Sequence, residues 1–546
     1  MDTLTAAGAR PAYTTLQSLV ELLRGEGLLS RVEHLADAGP TPVSGVDCDS
    51  RVAAPGHVFV CKGAAFKPAY LLSAVEKGAV AYLCDETLAQ DLVEACPAVP
   101  ALVARDLRRA MALVSSAGWG HPDRSIRILG LTGTKGKSTV AYMLRCIFDG
   151  SERGSGCGIM GSIDTYDGVE DFESVNTTPE APDLWRHLAN TRDSGLPCMV
   201  MEVSSQALKY DRVVDLGIDV ACFLNIGRDH ISPIEHPSFE DYFESKLRIF
   251  DQARVAVVNL DMDHADEVLA RAARCERVVT FSVADDAADR GADVWASDIR
   301  SLDGALSFTV HTARGAREMH VSMPGLFNVD NALAAIAMCE VLDVDDARIA
   351  AGLAHVRVPG RMELLQTADP KVCALVDYAH NKLSYQRFFS SVSKEFAGRK
   401  VIALFGAPGD KAQERRRELP EEASRWADLI IYTEEDPTHE RVEDICAELA
   451  ANTPAGQAYE VICDRPTAIA RATDAAFAAP EGAVVCLLPR ATRRASTRAT
   501  ALCPARPMAP SGSERWPVTW RDADGCKQVH RARRRRVVAV CERNDL

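Results

Sequence analysis

Apolar residues run almost unbroken through IRILGLTG (Ile126 to Gly133), CMVMEVSS (Cys198 to Ser205), VACFLNIG (Val220 to Gly227) and VAVVNLD (Val255 to Asp261), and helical spacing follows each run. Strands that are apolar on both faces and alternate with helices predict a mostly parallel sheet covered on both sides. A second series of the same kind begins after VPGRME, with CALVDYAH, VIALFGAPG, LIIYTEED and AVVCLL. Ahead of both, short β-like runs (HVFVCKG, AVAYLCD) mix with the helical stretch YTTLQSLVELL and predict a small α/β domain. The expected architecture is α/β in three domains, at residues 1–118, 119–357 and 358–488, followed by an aberrant basic tail at 489–546.

Open α/β sheets place ligands at the carboxyl ends of their strands, and here those ends are polar. They carry Gly133 to Ser138, Glu202 to Ser205, Asn225 to His230, Asp377 to His380, and Asp410 with Lys411. In GTKGKST the glycines Gly133 and Gly136 would let backbone N–H groups approach phosphate oxygens, Lys137 would neutralise them, and the Ser138 hydroxyl would ligate Mg²⁺. The full Walker pattern wants Gly where Leu131 stands, so the motif is a shortened variant, and an ordinary αβ turn with a surface lysine is the bland alternative. Glu202, Asp229 and His230 at neighbouring strand ends could share a Mg²⁺ ion; strand-end acids also serve as helix caps. By spacing alone, Lys246 in FEDYFESKLRIF reads as a surface lysine on an amphipathic helix.

Composition narrows the function classes. The chain has 546 residues, 47% hydrophobic and 25% charged, enough for several cores. Its 17 cysteines include no Cys-x-x-Cys pair, which predicts buried thiols in a reducing, cytoplasmic setting. No secretory leader or bilayer-length apolar run is expected. From residue 489 on, 13 Arg and 1 Lys oppose 5 acidic residues, a net +9 that leaves −24 for the rest of a −15 chain. An acidic body argues against nucleic-acid binding.

The motifs GTKGKST, NTTPEAPDL, MEVSSQALKYDRV, NIGRDHISPIEHPSFEDYFESKLRIF, GLFNVDNALAAIA, VPGRMELL and VDYAHNKLSYQRFF occur in this order. Together, over about Asp49 to Leu488, they resemble the Mur ligases, ATP-dependent amide-forming enzymes of peptidoglycan synthesis, and most closely the MurE type that adds the third residue of the stem peptide. The resemblance implies a UDP-binding N-terminal domain, a central P-loop ATPase domain and a Rossmann-like C-terminal domain that binds the amino acid. It implies phosphoryl transfer from ATP to the terminal carboxylate of UDP-N-acetylmuramoyl-L-Ala-D-Glu, and attack of an amine on the acyl phosphate.

Residue by residue, Gly133, Thr134, Lys135, Gly136, Lys137, Ser138 and Thr139 match the phosphate loop. Ser138, Glu202, His230 and Lys246 match the Mg²⁺ sites, with Lys246 carbamylated by CO₂ to N6-carboxylysine. Asn328 and Asn331 match adenine contacts, and Arg361, Asp377 and His380 match ATP contacts whose engagement implies a hinge closure. Ser50 and Arg51 match the uridine loop; Thr177, Thr178, Ser204, Tyr210 and Arg212 match the muramoyl dipeptide positions. Gln206 and Tyr210 stand where His and Gln are more usual, which weakens the sugar assignment near Tyr210. A monomer is expected.

For the amino acid, Lys411, Asp436 and Thr438 match the site. Enzymes of the family that add meso-diaminopimelate carry Asp-Asn-Pro-Arg, whose Arg pairs with the distal carboxylate; here TEEDPTHE puts Thr438 at the Arg position, and Glu434, Glu435 and Asp436 make the segment acidic. The missing fork favours L-lysine, then L-ornithine, over meso-diaminopimelate. A folylpolyglutamate synthase-like ligase is the alternative enzyme, and a nucleotide-binding switch or scaffold the alternative without ligation. DCDSRVAAPGHVFV argues against the first, and the set Glu202, His230 and Lys246 is superfluous to the second. After AVVCLL the family expects a loop like Gly-Lys-Gly-His-Glu, but the chain continues PRATRRASTRA. Synonymous codons for that stretch, regrouped from the third base, permit Lys-Gly-Asp-Glu-Thr-Arg-Gln-His-Glu, so a shifted reading frame is expected to produce the tail.

Overall fold

The apolar runs pair as their composition predicts. In the computed structural model, which describes residues 11–489 except Ala64, 151–153, Pro233, Ile234, Asp303 and Ala368, Arg127–Thr132 lies between Cys198–Glu202 and Ile218–Phe223, and Ala253–Asn259 follows, all parallel. The tail from residue 490, with its expected frameshift and failure to pack, lies outside the described residues.

The chain divides after Arg361 into two compact units. Among the described residues of the first, an eleven-stranded sheet is built on those four strands. It gains Gly158–Met160, Arg277–Ser282 and Val294–Leu302 in parallel, an antiparallel hairpin at one edge, and two antiparallel strands at the other, Ala305–Thr312 and Gly315–Val321. A separate five-stranded sheet holds Gly45–Asp47, His57–Val60, Ala81–Asp85 and Ala101–Ala104 in parallel and Leu29–Glu33 antiparallel. One apolar core runs from Leu16, Leu19 and Trp119 of the N-terminal region into Trp185, Leu188 and Phe223 of the central sheet. The N-terminal sheet therefore shares its packing with the central one. Helix Leu107–Gly118 carries this contact, started by Asp106, whose carboxylate accepts from the Arg108 and Arg109 amides.

In the second unit, Val372–Val376, Ala483–Leu487, Lys400–Phe405, Leu429–Tyr432 and Tyr459–Val461 form a parallel sheet edged by antiparallel Glu363–Gln366. Helix Lys382–Glu395 starts at a reciprocal cap between Asn381 and Ser384. At the far end, Leu488 donates its amide to Leu404 O (2.9 Å), and Arg465 donates to the Leu488 carbonyl (2.6 Å). No helix among the described residues is long and apolar enough to cross a membrane.

Candidate active site

The strand Arg127–Thr132 delivers the chain into a loop that ends at helix Lys137–Asp149. Gly133 (φ 141°) and Gly136 (φ 92°) sit in backbone conformations that side chains rarely adopt. Space excludes a side chain as well: a Cβ on Gly136 would lie 2.4 Å from Asn331 Oδ1. Neighbouring strand ends fix the loop from outside. Asn225 accepts the Lys135 amide on Oδ1 (2.9 Å) and donates Nδ2 to Lys135 O (2.9 Å), and Thr134 Oγ1 meets Tyr242 OH (3.1 Å). Lys135 Nζ pairs with Asp229 (3.1 Å). Ser138 and the buried Thr139 start the helix whose N-terminus faces this loop, a geometry suited to phosphate oxygens.

Lys246 is not a surface lysine. It is 2% exposed, and its Nζ donates to Gly133 O at 2.8 Å, the same carbonyl that Lys137 Nζ reaches at 2.8 Å. The local period is misleading because the loop that begins at Gly133, far away in sequence, covers that face of helix Phe239–Leu247. The helix is started by Ser238, which accepts the Asp241 amide, and has Glu240 and Asp241 in its first turn. Burial, and next the Lys137 cation, hold the Lys246 ammonium well below the usual lysine range. Burial also lowers Lys137, with Lys135 and Arg361 adding to the effect and Glu202 and Asp229 opposing it. Two lysine amines thus converge on one carbonyl oxygen, with the Glu202 and Asp229 carboxylates acting on both.

Glu202 is no helix cap. It is 2% exposed and accepts the Ser162 amide on Oε1 (2.8 Å), while Ser162 Oγ meets Ser138 Oγ (3.0 Å). Ser204 takes the capping role, accepting from the Ala207 amide. His230 is half exposed, and its ring centroid lies 6.0 Å from that of Tyr242, over whose ring Lys246 Nζ sits at 4.8 Å. Glu202 and Ser138, linked through Ser162, offer oxygen atoms of the kind that suits a hard divalent ion, while the contacts of the His230 ring run to Glu235 and Tyr242. Elsewhere, Asp167, Glu170 and His187 bring ligand atoms within 4.8 Å of one another. They are already spoken for: Asp167 accepts from His187 (2.6 Å) and Asn190 (2.7 Å), and Arg186 pairs with Glu170.

Of the expected dipeptide residues, Thr178, Ser204 and Arg212 come together. Thr178 Oγ1 donates to Glu202 O (2.9 Å) and accepts the Ser204 amide (3.0 Å), and Arg212 reaches Thr178 O (3.1 Å) and Glu180 (2.7 Å). Thr177 precedes them, half-buried. Tyr210 lies under the Arg108 guanidinium, 4.1 Å from its ring centroid. Arg51 pairs with Asp49 (2.6 Å), and Lys77 holds the Ser50 carbonyl (2.6 Å). Asn328 and Asn331 are buried and joined to each other (2.8 Å), and Arg361 NH1 donates to Gly360 O (3.0 Å).

In the second unit, Asp377 accepts the amides of Met362 (2.9 Å) and Ala379 (2.7 Å), and His380 Nδ1 meets Tyr378 O (2.8 Å). The loops after Phe405 and Tyr432 are laced together: Thr438 donates to Asp410 (2.6 Å), and Lys411 pairs with Asp436 (3.3 Å). Between them, burial pushes the Glu435 carboxyl up to about 7, against the opposing pull of Arg415 and Arg465. An acid raised above its unfolded value of 4.5 gives its full contribution to stability below that value and loses it as pH rises to 7. Glu435→Gln should therefore gain thermal stability on the parent between pH 4.5 and 7 and keep that gain above 7. A melting-temperature difference that is flat across that window would contradict this.

The sequence matches two family models, the Mur ligase middle domain over residues 131–339 and the Mur ligase glutamate ligase domain over 360–490. The chain belongs to the Mur ligase family. This Mur ligase is 37% identical to the UDP-N-acetylmuramyl-tripeptide synthetase of Bifidobacterium longum, over 86% of this chain and 90% of the relative. It is 34% identical to the UDP-N-acetylmuramoyl-L-alanyl-D-glutamate--L-lysine ligase of Enterococcus faecalis, over 82% and 87% of the two chains. A crystal structure of MurF from Acinetobacter baumannii shares the fold, with a TM-score of 0.64 at 20% identity over 90% of this chain and 99% of that one. The second family match stops where the basic tail starts.

Proposed function

We propose that this Mur ligase joins L-lysine to the terminal carboxylate of UDP-N-acetylmuramoyl-L-Ala-D-Glu at the expense of ATP, in the cytoplasm, as a step of peptidoglycan synthesis. The observation that carries the reading is the meeting of Lys137 and buried Lys246 on the Gly133 carbonyl beside Glu202. Residues 1–118 bind the UDP-sugar, 119–357 bind ATP and 358–488 bind the amino acid, and 489–546 are read in a shifted frame.

The phosphate-loop amides and Lys137 hold the nucleotide phosphates; Thr178, Ser204 and Arg212 hold the dipeptide. A carboxylate oxygen of the dipeptide attacks the γ-phosphorus and ADP leaves. The lysine α-amine then attacks the acyl carbon, inorganic phosphate departs with the bridging oxygen, and the amine gives up its proton. Ser138, Glu202, His230 and carbamylated Lys246 would hold Mg²⁺, which would supply positive charge beside the phosphate oxygens. The carbamate forms when the neutral Lys246 amine adds to CO₂ and loses a proton, and burial beside Lys137 favours that neutral amine. Catalysis is then chiefly alignment and charge neutralisation. For the amino acid, the acidic segment Glu434 to Asp436 and Thr438 in place of an arginine favour a side chain ending in an ammonium over one ending in a carboxylate.

Phosphate release tests the reading. It should require ATP, the UDP-dipeptide and L-lysine together; release with nucleotide alone would favour a switch, and release with folate substrates a folylpolyglutamate synthase-like ligase.

A further inference from the structure

The His230 ring meets a carboxylate through its Nδ1 nitrogen. Its Nδ1 lies 3.2 Å from Glu235 Oε1, and the same oxygen accepts from Gln206 Nε2 at 3.0 Å. Glu235 is itself fixed at both backbone ends: its amide donates to Ser232 Oγ (3.1 Å), and its carbonyl accepts from Lys209 Nζ (3.1 Å). Lys209 also pairs with Asp241 (2.7 Å), which accepts from the fully buried His236 (2.6 Å), and His236 Nε2 meets Ser205 Oγ (3.0 Å). Short helix Ser205–Lys209, which follows Glu202, is thereby tied to the helix that carries Lys246. Glu235 lies in the middle of that tie with its carboxylate turned to His230. A half-exposed histidine on a bare loop would need none of this.

We infer that Glu235, oriented by Gln206, is a positioning residue for His230: it accepts the hydrogen bond from Nδ1–H, so keeps the proton on that nitrogen, sets the ring tautomer and leaves Nε2 as the nitrogen offered to a divalent cation. Carboxylate partners of this kind orient metal-binding imidazoles and raise their basicity. Gln206 is the residue that stands in place of a more usual His, and its amide donor holds the same Glu235 oxygen, Oε1, that His230 Nδ1 meets. The inference rests on the reading of His230 as a metal ligand, and the test separates the two.

Mn²⁺ alone is titrated into the full chain, with free ion counted by its electron paramagnetic resonance signal, for the parent, Glu235→Gln, Glu235→Ala, Gln206→Leu and His230→Ala. Glu235→Ala should weaken Mn²⁺ binding by about 10- to 100-fold, Gln206→Leu by less, and Glu235→Gln by an intermediate amount, because its amide oxygen still accepts from Nδ1. Melting temperatures close to the parent's are expected, since Glu235 lies on a partly exposed loop. As a second readout, ¹⁵N resonances of the His230 ring at pH 8 should report a protonated Nδ1 in the parent and a mixture of tautomers in Glu235→Ala. Unchanged Mn²⁺ affinity and tautomer in Glu235→Ala, with His230→Ala weakened, would overturn the positioning role and leave the ligand role standing. Unchanged affinity in His230→Ala as well would overturn both.

Discussion

Lys246→Ala is expected to lower the rate of ligation by about a hundredfold or more, the scale at which a group aimed at transition-state charge is lost. Short carboxylic acids such as formate or acetate are expected to restore part of it. Lys246 is 2% exposed with its amine on the Gly133 carbonyl, so truncation leaves a cavity that a small anion can enter. The proposed role is negative charge, which the carbamate supplies and a carboxylate imitates. Lys246→Met separates charge from packing: it fills the space, should be as inactive as the alanine variant, and should resist rescue because no cavity is left. Chloride at the same ionic strength should not restore activity. An alanine variant that is fully active without added acid would remove the carbamate from the mechanism.

Thr438→Arg is expected to raise the use of meso-diaminopimelate relative to L-lysine by about tenfold, the worth of one charge-assisted pair in a partly exposed site. The position has room, for Thr438 is exposed. It is also a strained place for a β-branched residue, with φ at 47°, so an unbranched arginine loses nothing in backbone energy. Its present hydroxyl bond to Asp410 (2.6 Å) shows where a new guanidinium would find an internal competitor. Thr438→Arg combined with Asp410→Asn should therefore shift the ratio further than the single change. The ratio of the two products, measured by mass with both amino acids present, reads this out. An unchanged ratio in both variants would move selectivity to other residues.

The parallel strands were legible because burial on both faces leaves unbroken apolar runs, and all eight quoted runs of the two larger sheets became strands. The antiparallel extension at 294–321 was not read. Val294–Leu302 alternates buried and half-buried positions and then turns mostly exposed, with a register shift between Ser297 and Arg300, so its sequence looks like a polar connection. At the site, the phosphate loop was visible in GTKGKST because its glycines answer a local backbone demand. Lys246 and Glu202 misled local reasoning for the opposite reason. A helical period cannot reveal a loop packed over it, and a strand-end acid looks the same whether or not Ser204 has taken the cap. Asn225, Glu235 and Tyr242 lie inside the quoted motif NIGRDHISPIEHPSFEDYFESKLRIF without a role of their own there, because their contacts exist only once distant strand ends are brought side by side.

The central claim is that a dipeptide carboxylate takes the γ-phosphoryl group before the amine attacks. Oxygen-18 in the terminal carboxylate of the UDP-dipeptide follows that step directly, because the bridging oxygen of an acyl phosphate leaves with phosphorus. With ATP and L-lysine present, the inorganic phosphate released is predicted to carry one ¹⁸O atom for each peptide bond formed; peptide formation accompanied by unlabelled phosphate would contradict the account.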